Sequence, residues 1–340
     1  MTNKSPVSFS CCIILLAAIA LCSVPAAAVT VIDDTGTTVT LNATPERIIS
    51  LSPSNTEILA ALGLLPRVVG VTDYCDTPEA VKNIFRIGSY TAISIEKVTV
   101  QQPDLVIASD KTPKETINRL RELGLTVMVV APKNVDHVVR DIRLVGEVTG
   151  TGPEAEALAT DISRRIAAVS APLFPDSPTV AHVVYLKPLY ISGNNTQQDD
   201  IITRAGGANV FSGRQGWGTV SLEEFLLANP DIIIVSGGGG MDASERDMIR
   251  EEFMTNPQYA SLSAVKNHHV YAIDADVISR PGPRIADAAE EVSRIITTVR
   301  EERAAHQTPA AAPTTQQSPV SPAIVMGLVV LAGLAALRKR

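Results

Sequence analysis

The stretch "SIEKVTVQQPDLVIAS" at residues 94–109 is written again, further along the chain, as "SLEEFLLANPDIIIVS" at 221–236. The two copies share Ser94/Ser221, Glu96/Glu223, Pro103/Pro230, Asp104/Asp231, Ile107/Ile234 and Ser109/Ser236. Each reads as a helix, a Pro-Asp break and an apolar strand, with the glutamate in the helix's first turn, where the helix dipole favours an acid. One helix–strand unit written twice marks internal pseudo-symmetry, so the body is expected to fold as two related lobes.

The flanking pattern agrees. Apolar runs at "RIISLS" (47–52), "RVVGV" (67–71), "DLVIAS" (104–109) and "LTVMVV" (125–130) alternate with helical patterns. Strands apolar throughout are covered on both faces, as in a parallel α/β sheet. Ser54 and Glu57 are spaced as a capping box for a helix that ends near Gly63. "DDTG" (33–36), set in β-branched alternation, predicts a leading hairpin. From Val135 to Leu173 the pattern is helical, broken by "TGTGP" (149–153). The alternation then restarts with "TVAHVVY" (179–185), "DIIIVS" (231–236) and "HVYAID" (269–274), closing with a helix from about Arg284 to Arg303. The expectation is an α/β fold of two lobes with mainly parallel sheets, joined by a single long helix, with a ligand cleft between them. It divides into a hairpin plus N-lobe (29–150), a linking helix (151–177) and a C-lobe (178–305).

The ends read differently. Residues 1–28 carry Lys4, an apolar run and "VPAAA", the pattern of a secretory signal peptide cleaved after Ala28. Residues 306–322 are rich in Pro, Ala, Thr and Gln and cannot build a core, which suggests a stalk. Residues 323–340 run apolar to Leu337 and end Arg338-Lys339-Arg340. As a helix the apolar part spans about 22 Å against a hydrocarbon core of ~30 Å, so it reads as a short membrane anchor or a sorting segment. Its basic end belongs inside, which puts the body on the extracellular side of the cytoplasmic membrane, tethered to the surface. The layout suggests an archaeal cell surface.

Without these ends the body holds 25 Lys and Arg against 36 Asp and Glu, a net charge of −11 that excludes nucleic acid as a partner. Only Cys75 of the four cysteines lies outside the signal peptide, so no internal disulfide is expected. Asn42 and Asn194 open glycosylation sequons. The histidines are scattered, His268 and His269 would face opposite ways from a strand, and no metal site is expected. Hydrolase and metalloprotease motifs are absent, and "SGGGG" (236–240) lacks the Gly-Lys-Ser/Thr of a phosphate loop, so nothing asks for an enzyme.

In two-lobed α/β proteins ligands sit in the loops at the carboxyl ends of the strands. Tyr74, Tyr90, Tyr190 and Trp217 all fall in such loops of an aromatic-poor chain, where flat rings beside glycines suit contact with a large ligand. Arg280 and Arg284 flank "PGP", which would stiffen that loop. Arg280 is a candidate for the ligand or for a cleft-closing ion pair, and Asp276 for accepting amide hydrogens.

"RIISLSPSNTEILAALGLLPRVVGVTDYCDTPEAV", "IGSYTAISIEKVTVQQPDLVIAS", "GWGTVSLEEFLLANPDIIIVSGG" and "SRPGPRIADAAEEV" resemble, in order, the lobes of the cobalamin-binding substrate-binding proteins of ABC importers. These belong to the helix-linked class that also serves ferric siderophores and haem. The resemblance covers nearly all of 31–303. It implies ligand contacts from Pro53, Ser54, Tyr74, Tyr90, Tyr190 and Trp217, and from the loop Asp276, Val277, Ile278, Ser279 and Arg280. Tyr90 stands where relatives often carry tryptophan, and Val277 and Ile278 replace bulkier aromatics, which keeps another corrinoid or a siderophore open. The resemblance further implies that Glu96 and Glu223 dock onto arginines of a permease dimer carrying ATPase subunits. The expected protein is a monomer without resident cofactor, a corrinoid being its transported ligand. Alternatives are the same role for a ferric siderophore or haem, and a surface component that has lost transport.

Overall fold

The computed structural model describes residues 28–89, 91–237 and 248–307. Residues 1–27 of the expected signal peptide and residues 308–340 lie outside them, as does most of "SGGGG". The chain opens with an antiparallel hairpin of β1 (Val29–Ile32) and β2 (Thr38–Leu41). Its turn is built by Asp33, whose carboxylate accepts from the amides of Thr35 and Thr37 at 2.9 and 3.0 Å. The other Asp33 oxygen accepts from the Val129 amide at 3.0 Å and so pins the hairpin to the first sheet.

That sheet holds β3 (Ile48–Ser50), β4 (Val68–Val71), β5 (Leu105–Ala108) and β6 (Val127–Val129) in the order β4-β3-β5-β6, all parallel. Its helices are α1 (Pro53–Ala61), α2 (Ile95–Val100) and α3 (Lys114–Glu122). The expected capping box is corrected here: Ser52, not Ser54, caps α1, accepting from the Asn55 amide at 3.3 Å with Pro53 in the first turn. Glu57 is thereby released for a different task, described below.

Two long helices follow, α4 (Val135–Thr149) and α5 (Gly152–Val169). Gly150 turns between them at φ +73°, and a Cβ on Gly146 would stand 2.2 Å from that of Ala155, so only glycine lets the pair approach. The linking helix is shorter than expected, because residues 170–178 are irregular. Arg165 on α5 pairs with Asp287 and Glu290 at 2.5 and 2.7 Å, on the helix that closes the second lobe.

The second sheet is mixed: β7 (Thr179–Leu186), β8 (Leu189–Ser192), β9 (Ala208–Asn209), β10 (Trp217–Val220), β11 (Ile232–Gly237) and β12 (Val270–Asp274). The order is β10-β8-β7-β11-β12 with β9 on β7, and only β8 runs against its neighbours. Its helices are α6 (Gln197–Arg204), α7 (Leu222–Ala228), α8 (Met248–Thr255), α9 (Ser263–Lys266), α10 (Ala275–Ser279) and α11 (Ile285–Gln307).

The repeated sentence folds the same way twice. Ser94 caps α2 and Ser221 caps α7, accepting from the third amide beyond. Gln102 and Asn229 then take left-handed backbone, at φ +46° and +39°, directly before each proline. Asp104 accepts from the amides of Glu46 and Arg47 at 2.8 and 2.9 Å, leading into β3. Asp231 accepts from the amide and hydroxyl of Thr179 at 2.7 and 2.6 Å, at the start of β7. In both lobes the aspartate therefore fixes the entry of the neighbouring parallel strand, and Ile107 and Ile234 lie in the core.

One apolar cluster runs through both lobes. It links Ile48, Ile58 and Leu105 to Ile142 and Ile162 of α4 and α5, then to Val180, Ile232 and Val292. Each such buried side chain contributes ~1.5–3 kcal/mol relative to exposure, so a shared core holds the lobes far more firmly than a flexible linker would.

Candidate ligand cleft

A cleft of about 470 Å³ opens between the lobes. The strand ends aim its walls. After β3 the chain turns into α1 and brings Ser52, Pro53 and Ser54 to the cleft; after β4 it brings Tyr74; after β5 and β6 it brings Lys111 and Lys133. The C-lobe answers with Asn195 to Gln198 after β8, Trp217 at the start of β10, and Asp276, Ser279 and Arg280 after β12.

The aromatic wall is a stack. Trp217 lies parallel to Tyr190, with ring centroids 6.0 Å apart and planes inclined by 6°, and Tyr190 meets Tyr185 at 6.5 Å. The edge of His182 meets Trp217 at 5.9 Å. His182 is fully buried, with its ring nitrogens 3.1 Å from the Ser192 hydroxyl and 3.0 Å from that of Ser236. Burial holds its pKa down at about 3, so the wall is backed by a neutral imidazole.

The base of the cleft is ionic. Arg280, 9% exposed, reaches Glu57 at 3.0 Å, Asp76 at 2.7 Å and Asp276 at 2.8 Å. Arg284 grips the two Glu57 oxygens at 2.9 and 2.7 Å. A C-lobe loop is thus clamped to α1 of the N-lobe, and a Cβ on Gly282 would already touch the Ser54 carbonyl at 3.4 Å. Burial pushes the Asp76 carboxyl up, but the Arg280 guanidinium outweighs it and holds it below the usual range. Burial raises Asp276, against the pull of Arg280 and with the repulsion of Asp76. Burial also pulls Arg280 down, but Asp76 and Glu57 more than restore it, so it stays charged.

The structure brings Pro53, Ser54, Tyr74, Trp217, Asp276, Ser279 and Arg280 together around one space. Tyr190 stands one ring behind Trp217, and both belong to strands rather than loops. The expected loop 276–280 is mostly the short helix α10, which turns Ile278 wholly into the core and packs Val277 against it. Neither lines the cleft; the Ile278 carbonyl instead accepts from the side-chain amides of Gln197 and Gln198, each at 2.8 Å. Tyr90 lies outside the described residues. Cys75 is buried under the cleft, its sulfur 3.2 and 3.1 Å from the hydroxyls of Thr56 and Thr72, and burial pushes its thiol pKa up. Among the described residues no cluster of His, Cys, Asp and Glu could hold a metal ion.

Sequence reading missed Lys111, Lys133 and the segment Asn195–Gln198. Lys111 lies just past the apolar run "DLVIAS" (104–109), at the end of β5. Thr196, whose hydroxyl accepts from the Asp199 amide at 3.2 Å, is a cap signal that would have placed a helix start at the cleft. Glu96 and Glu223 stand away from the cleft base, exposed in the first turns of α2 and α7.

The profile of the periplasmic binding protein family matches residues 48–277. An ABC transporter substrate-binding lipoprotein of Bacillus subtilis is 29% identical over 277 residues, covering 79% of this chain and 85% of its own. The crystal structure of the periplasmic vitamin B12 binding protein of Vibrio cholerae superposes with a TM-score of 0.66 at 28% identity, covering 76% of this chain and 99% of its own. The periplasmic haem-binding protein of Roseiflexus superposes with a TM-score of 0.65, also at 28% identity, covering 75% of this chain and 98% of its own. With the two lobes, the helical link and the cleft between them, these matches establish that the chain belongs to the periplasmic binding protein family, whose members capture a ligand without chemically converting it.

Proposed function

We propose that this protein captures a corrinoid in its interlobe cleft, outside the cytoplasmic membrane, and delivers it to an ABC permease dimer. The observation that carries the ligand class is the cleft itself. Tyr74 faces it from one lobe and the Trp217–Tyr190 stack from the other, around about 470 Å³. Flat aromatic walls with amide-accepting and amide-donating groups in the lining (Asp276, Asn195, Ser279) suit a broad macrocycle fringed with amides. The relatives named for vitamin B12 support the same reading. Glu96 and Glu223 serve as the docking acids, and residues 323–340 tether the protein near its importer, raising its effective concentration there.

A second reading gives the cleft to haem or a ferric siderophore. It is favoured by Lys133 and by Lys111, the latter paired with Asp110 at 3.2 Å, in a cleft where Arg280 is already held by three acids. The test uses Trp217, the only tryptophan of the chain, as a reporter. Quenching of its fluorescence, with calorimetry, is followed on titration with cyanocobalamin, haem and a ferric hydroxamate. One-to-one binding of the corrinoid alone supports the first reading; binding of haem or the ferric chelate alone replaces it with the second.

A further inference from the structure

The repeated sentence carries one more shared feature. Val100 is 70% exposed and Leu227 86% exposed. They hold the same place in the two copies, four residues after Glu96 and Glu223. That spacing sets acid and apolar side chain on one face of each helix, a turn apart. Of the exposed large apolar residues among those described, these two are the pair that the repeat relates.

The surroundings select the same spots. Glu224, adjacent to Glu223, is held by Arg214 at 2.6 Å through both of its oxygens. The carboxylates of Glu96 and Glu223 make no hydrogen bond or ion pair among the described residues. In both lobes the helix returns the chain to the amino end of a parallel strand. Its acid-bearing start therefore lies toward the strands' carboxyl ends.

We infer that Val100 with Glu96, and Leu227 with Glu223, form two equivalent two-part docking spots, each an apolar knob beside a carboxylate. The partner they fit is a two-fold-symmetric membrane protein whose subunits each offer a basic group next to an apolar pocket. The duplication argues for a symmetric partner, because one patch written on each of two lobes matches one receptor surface presented twice. The free acids argue for a basic surface, and the knobs supply contact that salt does not screen. This rests on the reading of the acids as permease-docking groups and adds the apolar half of each contact.

The test measures docking of the full-length protein to its own permease–ATPase complex in lipid nanodiscs, for wild type, Val100→Ser, Leu227→Ser, their double variant, Glu96→Gln and Glu223→Gln. Both apolar positions are exposed, so unfolding midpoints and ligand binding should stay at wild-type values. Each serine variant should weaken docking about tenfold, and the double variant about a hundredfold. The remaining wild-type affinity at high salt should depend on Val100 and Leu227. If the serine variants dock as wild type while the glutamine variants fail, the apolar contact is wrong and the acids stand. If all variants dock as wild type, the docking reading itself falls. Equal binding to empty nanodiscs, or a dimer in sedimentation that Leu227→Ser dissolves, would assign the surface to lipid or to a second copy and overturn the inference.

Discussion

Replacing Arg280 with alanine should destabilise the protein by about 3 kcal/mol, a magnitude that follows from its three partners. A charge-assisted hydrogen bond contributes ~1.5–3 kcal/mol, so three lost contacts set a ceiling well above the expected value. Two circumstances lower it. Glu57 keeps both of its contacts to Arg284, at 2.9 and 2.7 Å. Asp76, whose side chain is 42% exposed, regains water once its partner is gone. Asp276 cannot, with a side chain 18% exposed and Asp76 and Asp274 adding repulsion. The remaining cost is one poorly solvated carboxylate and the loss of the clamp between loop 280–284 and α1. Urea unfolding followed by Trp217 fluorescence measures it, and Arg280→Lys, which keeps the charge but cannot reach three acids, should fall between. A loss below about 1 kcal/mol for Arg280→Ala would refute the reasoning, because it would mean that water screens the network as it screens surface pairs.

Other outcomes are expected. Asp141 is fully buried, with one oxygen lacking any hydrogen bond, and burial and the nearby Asp34 raise its pKa to about 7 despite Arg140. Such a group takes up protons on folding between its ordinary value and about 7, so its contribution is favourable below about 4 and is lost as the pH rises through 7. Asp141→Asn should therefore gain on the order of 1 kcal/mol over wild type at pH 8 and nothing near pH 4, read by denaturation at both. Trp217→Ala should weaken ligand binding by about 2 kcal/mol, roughly thirtyfold, with a smaller effect on stability because the ring is only half-buried. Glu96→Lys and Glu223→Lys should each leave ligand affinity in calorimetry unchanged and reduce uptake in reconstituted vesicles; lost ligand binding would count against their docking role. Gly193→Ala should misfold the cleft rim, since its Cβ would stand 2.3 Å from the Arg214 carbonyl oxygen, and limited proteolysis should cut there faster.

Local pattern carried much of the reading. The parallel strand runs, the hairpin turn at Asp33, the break at Gly150 and the duplicated helix–strand unit were legible, because each rests on periodicity or on a residue type that one backbone conformation demands, whereas β8, β9 and β10 were not read as strands. The strand-end loops were legible for the same reason, and they delivered Tyr74 and Arg280 to a common space, which Trp217 reaches from the start of β10. Glu57 was misread because its spacing from Ser54 satisfies a local rule, whereas its partners Arg280 and Arg284 lie more than 220 residues away in sequence. The resemblance placed Ile278 in the cleft, but one turn of α10 rotates its side chain into the core while Asp276 and Ser279 line the cleft.

The sequence by itself determined that there are two lobes, which units correspond, and that the loops after the parallel strands carry the cleft's first residues. These follow from period, capping and chain direction, all of them properties of neighbouring residues. Only the tertiary structure decided that Arg280 clamps the lobes with three acids, that a neutral His182 backs the tryptophan, and that Lys111, Lys133 and the start of α6 reach the cleft. Those facts depend on distances between residues far apart in the chain, which packing sets and local pattern does not encode.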